Sequence, residues 1–243
     1  MANWITHQFI AQRILEELPY LCTKEFCVGS VAPDCNLEND DWTAFIPPRE
    51  VTHFMQRKRK SLSDCQWFLD HFLSQRTILS KEEASFWWGY YAHLIVDAAF
   101  QHLICDDPQR THAMWSRMST DPVLRKEIDH ISPSWKNAKQ IIPFQCRKND
   151  MDLFEKELLE KYPDSPFLTL LPFIDSFPDY VPFLPPGAIS RKLKVMVKVP
   201  APSSDMPFSG MLISKDEYFN YIDQSLAHCI YSIQSHISLT PIF

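Results

Sequence analysis

The stretch GYYAHLIVDAAFQHLI at residues 89–104 is apolar enough for a buried helix, yet it carries His93 and Asp97 four residues apart. On a helix, residues i and i+4 project from one face a turn apart, so the imidazole and the carboxylate can converge on one point. A buried carboxylate is costly unless a cation, a hydrogen-bond network or a metal ion compensates it. Three residues of the same chemistry come earlier: His7 in WITHQF, Asp34 in GSVAPDCN and His53 in REVTHF. Each alone has a plain explanation, as a half-buried histidine, a turn former and a capping histidine. In chain order they make His, Asp, His and then a His-x3-Asp helix. A mixed imidazole and carboxylate set suits zinc, and also manganese or iron. Five ligands exceed what one tetrahedral zinc needs, so Asp97 could bridge two ions. Paired metals lower the pKa of a water and clamp the oxygens of a phosphoryl group.

Other residues near this series are softer candidates. Arg49 offers a bidentate donor for a phosphate oxygen. Glu38, Asp40 and Asp41 form a solvated acidic loop that could also supply a base or a further ligand, and the RKRK run at 57–60 suits a solvated helix end. Trp4, Trp42, Trp87 and Trp88 are expected in the core, and His71, His228 and His236 have no matching partners.

These residues need a scaffold, and the chain predicts a helical one. Thr6 is positioned to cap a first helix ending near Pro19, with Phe9, Ile10, Ile14, Leu15 and Leu18 at helical spacing. Residues 26–52 look like loop. A second helix is expected over 61–75, capped by Ser61 or Ser63, and a third over 81–104 behind the capping box Ser80 and Glu83. Further helices fit 109–118, 120–129, 133–140 and 150–162, punctuated by prolines. KLKVMVKVP alternates as a strand does, with MPFSGMLIS as its partner, and a last helix follows Ser214 and Glu217. The expected organisation is a helical metal-binding core over 1–162, a Pro- and aromatic-rich, partly β insertion over 163–213, and a C-terminal helix over 214–243 that packs on the core.

Composition excludes several classes. The 243 residues have four glycines, and neither dinucleotide nor P-loop glycine motifs occur. A net charge of −6 predicts no stable nucleic-acid complex. The N-terminus lacks a signal-peptide pattern and no apolar run reaches membrane-span length, so a cytoplasmic location without a transmembrane segment is expected. Seven irregularly spaced cysteines fit reduced, mostly buried thiols, with a role for Cys35 left open.

WITHQFIAQRIL, VGSVAPD, VTHF and GYYAHLIVDA resemble the motif series of the zinc-dependent phospholipase C family, here as a bacterial, non-secreted relative. The resemblance covers about the first hundred residues. It implies a multi-helix fold shared with fungal-type single-strand nucleases, and a cluster of zinc ions held by His7, Asp34, His53, His93 and Asp97. It further implies hydrolysis of a small-molecule or lipid phosphoester, as a phospholipase C, phosphodiesterase or phosphatase, with Asp34 and Asp97 holding the metal and its water. The family also uses an N-terminal amine, for which loss of Met1 before Ala2 would provide a counterpart. Its third zinc takes a further His and a His-x3-Glu helix. His102 could be the first, but His112 and His130 are each followed at i+4 by serine, so one or two metals are expected. The alternative is a helical metal-binding or scaffold protein without catalysis.

Overall fold

A computed structural model describes residues 3–41, 43–56, 59–78 and 80–240. Trp42, Arg57, Lys58 and the Ala2 amine lie outside the described residues. The order begins with α1 (Trp4–Glu17), α2 (Thr23–Gly29) and a 3-10 turn, Ala32–Asp34. Next come the hairpin β1 (Leu37–Glu38) and β2 (Phe45–Ile46), then α3 (Arg49–Thr52) and a second hairpin, β3 (Met55–Gln56) with β4 (Arg59–Ser63). Helix α4 (Cys65–Trp67) runs on as a π-helix over Phe68–Leu73, and α5 (Lys81–Ala99) likewise over Phe100–Cys105. Then follow α6 (Pro108–Met118), α7 (Pro122–Ile128), α8 (Trp135–Ile141), α9 (Phe144–Lys161), α10 (Pro166–Thr169), α11 (Ala188–Met196) and α12 (Lys215–His236). The protein is mainly α, with two short antiparallel hairpins among the described residues.

Helix α5 is the axis of the fold. It is buried without a break from Ala84 to Asp97, so it has no solvent face. Helices α2 and α12 lie along it, and α1 packs against α12, α9 and α10. The α2–α5 crossing depends on two glycines. A Cβ on Gly29 would stand 2.0 Å from the Phe86 carbonyl oxygen, and one on Gly89 would stand 2.1 Å from that of Phe26. Backbone therefore meets backbone directly, and α2 is held close enough to present its C-terminal end to the middle of α5.

Most expected helices form, with four corrections. Thr6 does not cap α1: Asn3 occupies that position, and the buried Thr6 hydroxyl meets Tyr218 Oη at 2.5 Å instead. Residues 26–29, expected as the start of a loop, are the end of α2. The expected helix at 61–75 starts later, because residues 59–63 pair with β3 and Asp64 is the cap, accepting from Trp67 N. No strand occurs at 192–200 or among the described residues of 206–214. KLKVM is instead the end of α11, whose buried residues Ala188, Ile189, Lys192, Leu193 and Met196 repeat at helical spacing. The alternation misleads because Lys192 points inward, and the period is visible only when the window opens at Ala188. The segment is not a separate β layer either, since Phe167, Leu171, Phe177 and Leu193 join the same core as α1 and α5.

Candidate metal centre

The side chains of His7, Asp34, His53, His93 and Asp97 meet where α1, the Ala32–Asp34 turn, α3 and α5 converge. His93 and Asp97 come from adjacent turns of α5, with Nε2 3.8 Å from Oδ2. His7 comes from the buried side of α1 and stacks on His93, rings 3.9 Å apart and 5° from parallel. Asp34 ends the turn that follows α2. His53 follows α3, and Phe54 after it adopts φ 49°, which swings the chain into β3. That left-handed backbone costs about 1 kcal/mol or more. The Phe54 ring, packed on Phe68 and Phe72, holds it.

Neighbouring atoms fix the donor atoms. His93 Nδ1 donates to the Ser30 carbonyl at 2.8 Å, which leaves Nε2 as a lone pair aimed at the cluster. Thr52 Oγ1 lies 2.9 Å from His53 Nδ1 and steadies that ring in the same way. Trp4 Nε1 donates to Asp34 Oδ2 at 2.8 Å, which leaves Oδ1 facing inward. The inward atoms are closely spaced. His53 Nε2 is 3.3 Å from both His93 Nε2 and Asp34 Oδ1, and 3.6 Å from Asp97 Oδ2. Ligands around a tetrahedral zinc at ordinary bond lengths are separated by about 3.3 Å. A second trio, His7, His93 and Asp97, lies beside the first. Both ring nitrogens of His7 and Oδ1 of Asp97 are buried without a hydrogen-bond partner. Such orphaned donors and opposed lone pairs are unfavourable by themselves and fit a divalent cation.

Electrostatics point the same way. Burial, then the neighbouring His7, pushes the His93 imidazole down to about 3, so it is neutral, the form that can ligate a metal. Burial would raise the Asp34 carboxyl, but the charge of Arg49 and the hydrogen bond of His53 outweigh it and hold the group well below the usual carboxylate range. Asp97 is likewise lowered against its burial, by the neighbouring imidazoles of His7, at 3.6 Å, His93 and His53. Arg49 enters the cluster itself. Its Nη2 lies 2.5 Å from His53 Nε2 and 3.1 Å from Asp97 Oδ2, and its Nη1 3.3 Å from Asp34 Oδ1.

The other candidates fall elsewhere. Glu38 pairs with Arg191 and Lys192, Asp40 is exposed, and Asp41 Oδ1 accepts from Thr43. His102 and His112 are exposed, and His102 lines a different cavity with His228. Trp87 and Trp88 are core residues as expected, and all seven cysteines are free thiols. Cys35 is buried, its thiol pushed up by that burial. Sequence reasoning missed Trp4 as a partner of Asp34, although its place three residues before His7 is the helical spacing that could have shown it. It also missed the wall opposite the cluster. A cavity of about 540 Å³ runs from Trp4, Asp34 and Arg49 to Lys148 and Glu155 of α9 and to Lys192 of α11.

A helical scaffold thus gathers three histidines and two aspartates around orphaned, inward-facing donors, a set that could hold a metal ion. More particularly, the zinc dependent phospholipase C family model matches residues 6–162, and the chain belongs to that family. No curated protein and no solved structure matches it. None of the described helices is long and apolar enough to cross a membrane.

Proposed function

We propose that the protein is a metal-dependent phosphoester hydrolase, with zinc held by His7, Asp34, His53, His93 and Asp97. The observation that carries this reading is the set of inward donor atoms, spaced as zinc ligands, of which Asp34 also lines the cavity. One or two ions in that set would lower the pKa of a water and draw charge from a phosphoryl group. The residues of the chain supply the rest. Ser30 and Thr52 hold two imidazoles in register, and Trp4 orients Asp34. Asp34 and Asp97 carry the charge that retains the metal. Arg49 lines the cavity with its Nη1 and Nη2 on Asp34 and Asp97, and with a metal on those carboxylates its guanidinium would be released to bind a phosphate oxygen pair. Elemental analysis of untagged protein beside His93→Ala and Asp97→Ala tests the reading. Zinc bound by the parent at one or two equivalents, and lost together with phosphoester hydrolysis in both variants, is the expected outcome. Activity persisting in demonstrably metal-free protein would overturn it.

One contact favours a second reading. Arg49 already neutralises Asp34 and Asp97, so the buried carboxylates have a cation without any metal. A parent free of metal, with His93→Ala equally well folded, would assign the cluster to scaffolding.

A further inference from the structure

The far wall of the cavity carries an excess of positive charge. Glu38 accepts from Arg191 at 3.0 and 3.1 Å and from Lys192 at 2.7 Å, so one carboxylate faces two cations. Lys148 is paired with Asp152. Lys198 lines the cavity from an exposed position and makes no ion pair among the described residues. Glu155 does not offset it, since burial pushes its carboxyl up to about 8 and leaves it neutral at neutral pH. Three aromatic residues, Trp4, Phe45 and Phe167, also line the space, as in a cage for an organic cation. Here, however, Lys192 Nζ already stands 6.0 Å from the centre of the Phe45 ring. A quaternary ammonium seeking that face would meet an ammonium.

We propose that this wall selects the alcohol portion of the substrate, favouring a headgroup with a further anionic group, a second phosphate or a carboxylate, over one with a quaternary ammonium. The inference rests on the phosphoester reading of the metal centre and adds its substrate class. The phosphate under attack lies at Asp34 and Arg49, and the second anion reaches Lys192 and Lys198. A cavity of about 540 Å³ holds a headgroup of this size.

Binding to the zinc-loaded full chain tests this with two probes that share one phosphate, myo-inositol 1,4-bisphosphate and phosphocholine. The bisphosphate is expected to bind the parent more tightly by about tenfold. Lys198→Glu, at an exposed position, is expected to keep the parent's zinc content and melting temperature while reducing that preference at least about fivefold. Lys192→Met is expected to raise the affinity for phosphocholine. Equal or tighter binding of phosphocholine by the parent, or an unchanged preference in Lys198→Glu, overturns the selectivity and leaves the phosphoester reading standing. Binding of neither probe with zinc in place overturns both. Turnover of phosphatidylinositol 4-phosphate in micelles or of its deacylated soluble counterpart supports the proposal, and the larger kcat/KM identifies whether the headgroup arrives on a lipid.

Discussion

At the scale of single residues, the cluster combines the neutral imidazole of His93 with carboxylates already partly balanced by Arg49. His93 is a neutral imidazole because burial and His7 both disfavour its proton, and Ser30 fixes which nitrogen keeps the hydrogen. Glu155 has no ion-pair partner among the described residues, and Asp152 nearby adds to its burial in raising its pKa. Between its ordinary value near 4.5 and about 8, the folded chain keeps a proton that the unfolded chain releases. Stability from this group is therefore complete in acid and falls as pH rises through that window. Glu155→Gln, which copies the protonated shape, is expected to match the parent at pH 4 and to exceed it by about 2 kcal/mol or more at pH 8. Urea unfolding at the two pH values measures it, and parallel pH profiles for parent and variant would refute the assignment.

At the scale of elements, the α2–α5 crossing is the joint on which the site depends, because Ser30 at the end of α2 holds His93 of α5. Gly29→Ala or Gly89→Ala must push backbone from backbone, with no side chain able to yield. Each is expected to destabilise the protein by about 3 kcal/mol or more, the upper range for overpacked interiors, and to weaken zinc binding with it. Equilibrium denaturation beside a zinc-competition titration tests both effects. The N-terminus of α12 offers a milder case. Ser214 and Glu217 form both halves of a capping box, and Glu217 also binds Arg117 at 2.8 and 3.0 Å. Ser214→Ala should cost about 1 kcal/mol, measured the same way, and leave zinc binding intact.

At the scale of the whole molecule, one core runs from α1 through α5 to α12 and takes in residues 163–213 as well. The matched family region ends at residue 162, yet Lys192 and Lys198 of the later segment line the same cavity as Asp34 and Arg49. The site is thus assembled from both parts of the chain. A metal bound only by the folded form must stabilise the entire fold. Stripping it with a chelator is expected to lower the melting temperature, and a hundredfold excess of zinc over its Kd to restore about 2.7 kcal/mol. Scanning calorimetry of stripped and reloaded protein reads this directly. His93→Ala should melt at the same temperature with and without zinc.

Much of this protein was determined by its local sequence. The i, i+4 rule placed His93 and Asp97 on one face, the motif order identified His7, Asp34 and His53, and caps and prolines marked most helices. Those signals act over one or two turns, so they survive in a linear chain. Contacts across long separations do not. Arg49 entering between Asp34 and Asp97, Lys192 turning inward to reach Glu38, and Glu155 losing its charge beside the start of α1 all depend on which helices pack together. The inward lysine also disguised α11 as a strand, because a buried cation breaks the polar-outward pattern on which periodicity relies. Sequence determined the helical class and picked out the five residues that the fold brings together. Tertiary packing decided what surrounds the ligands, because desolvation and pairing energies are set by neighbours far away along the chain.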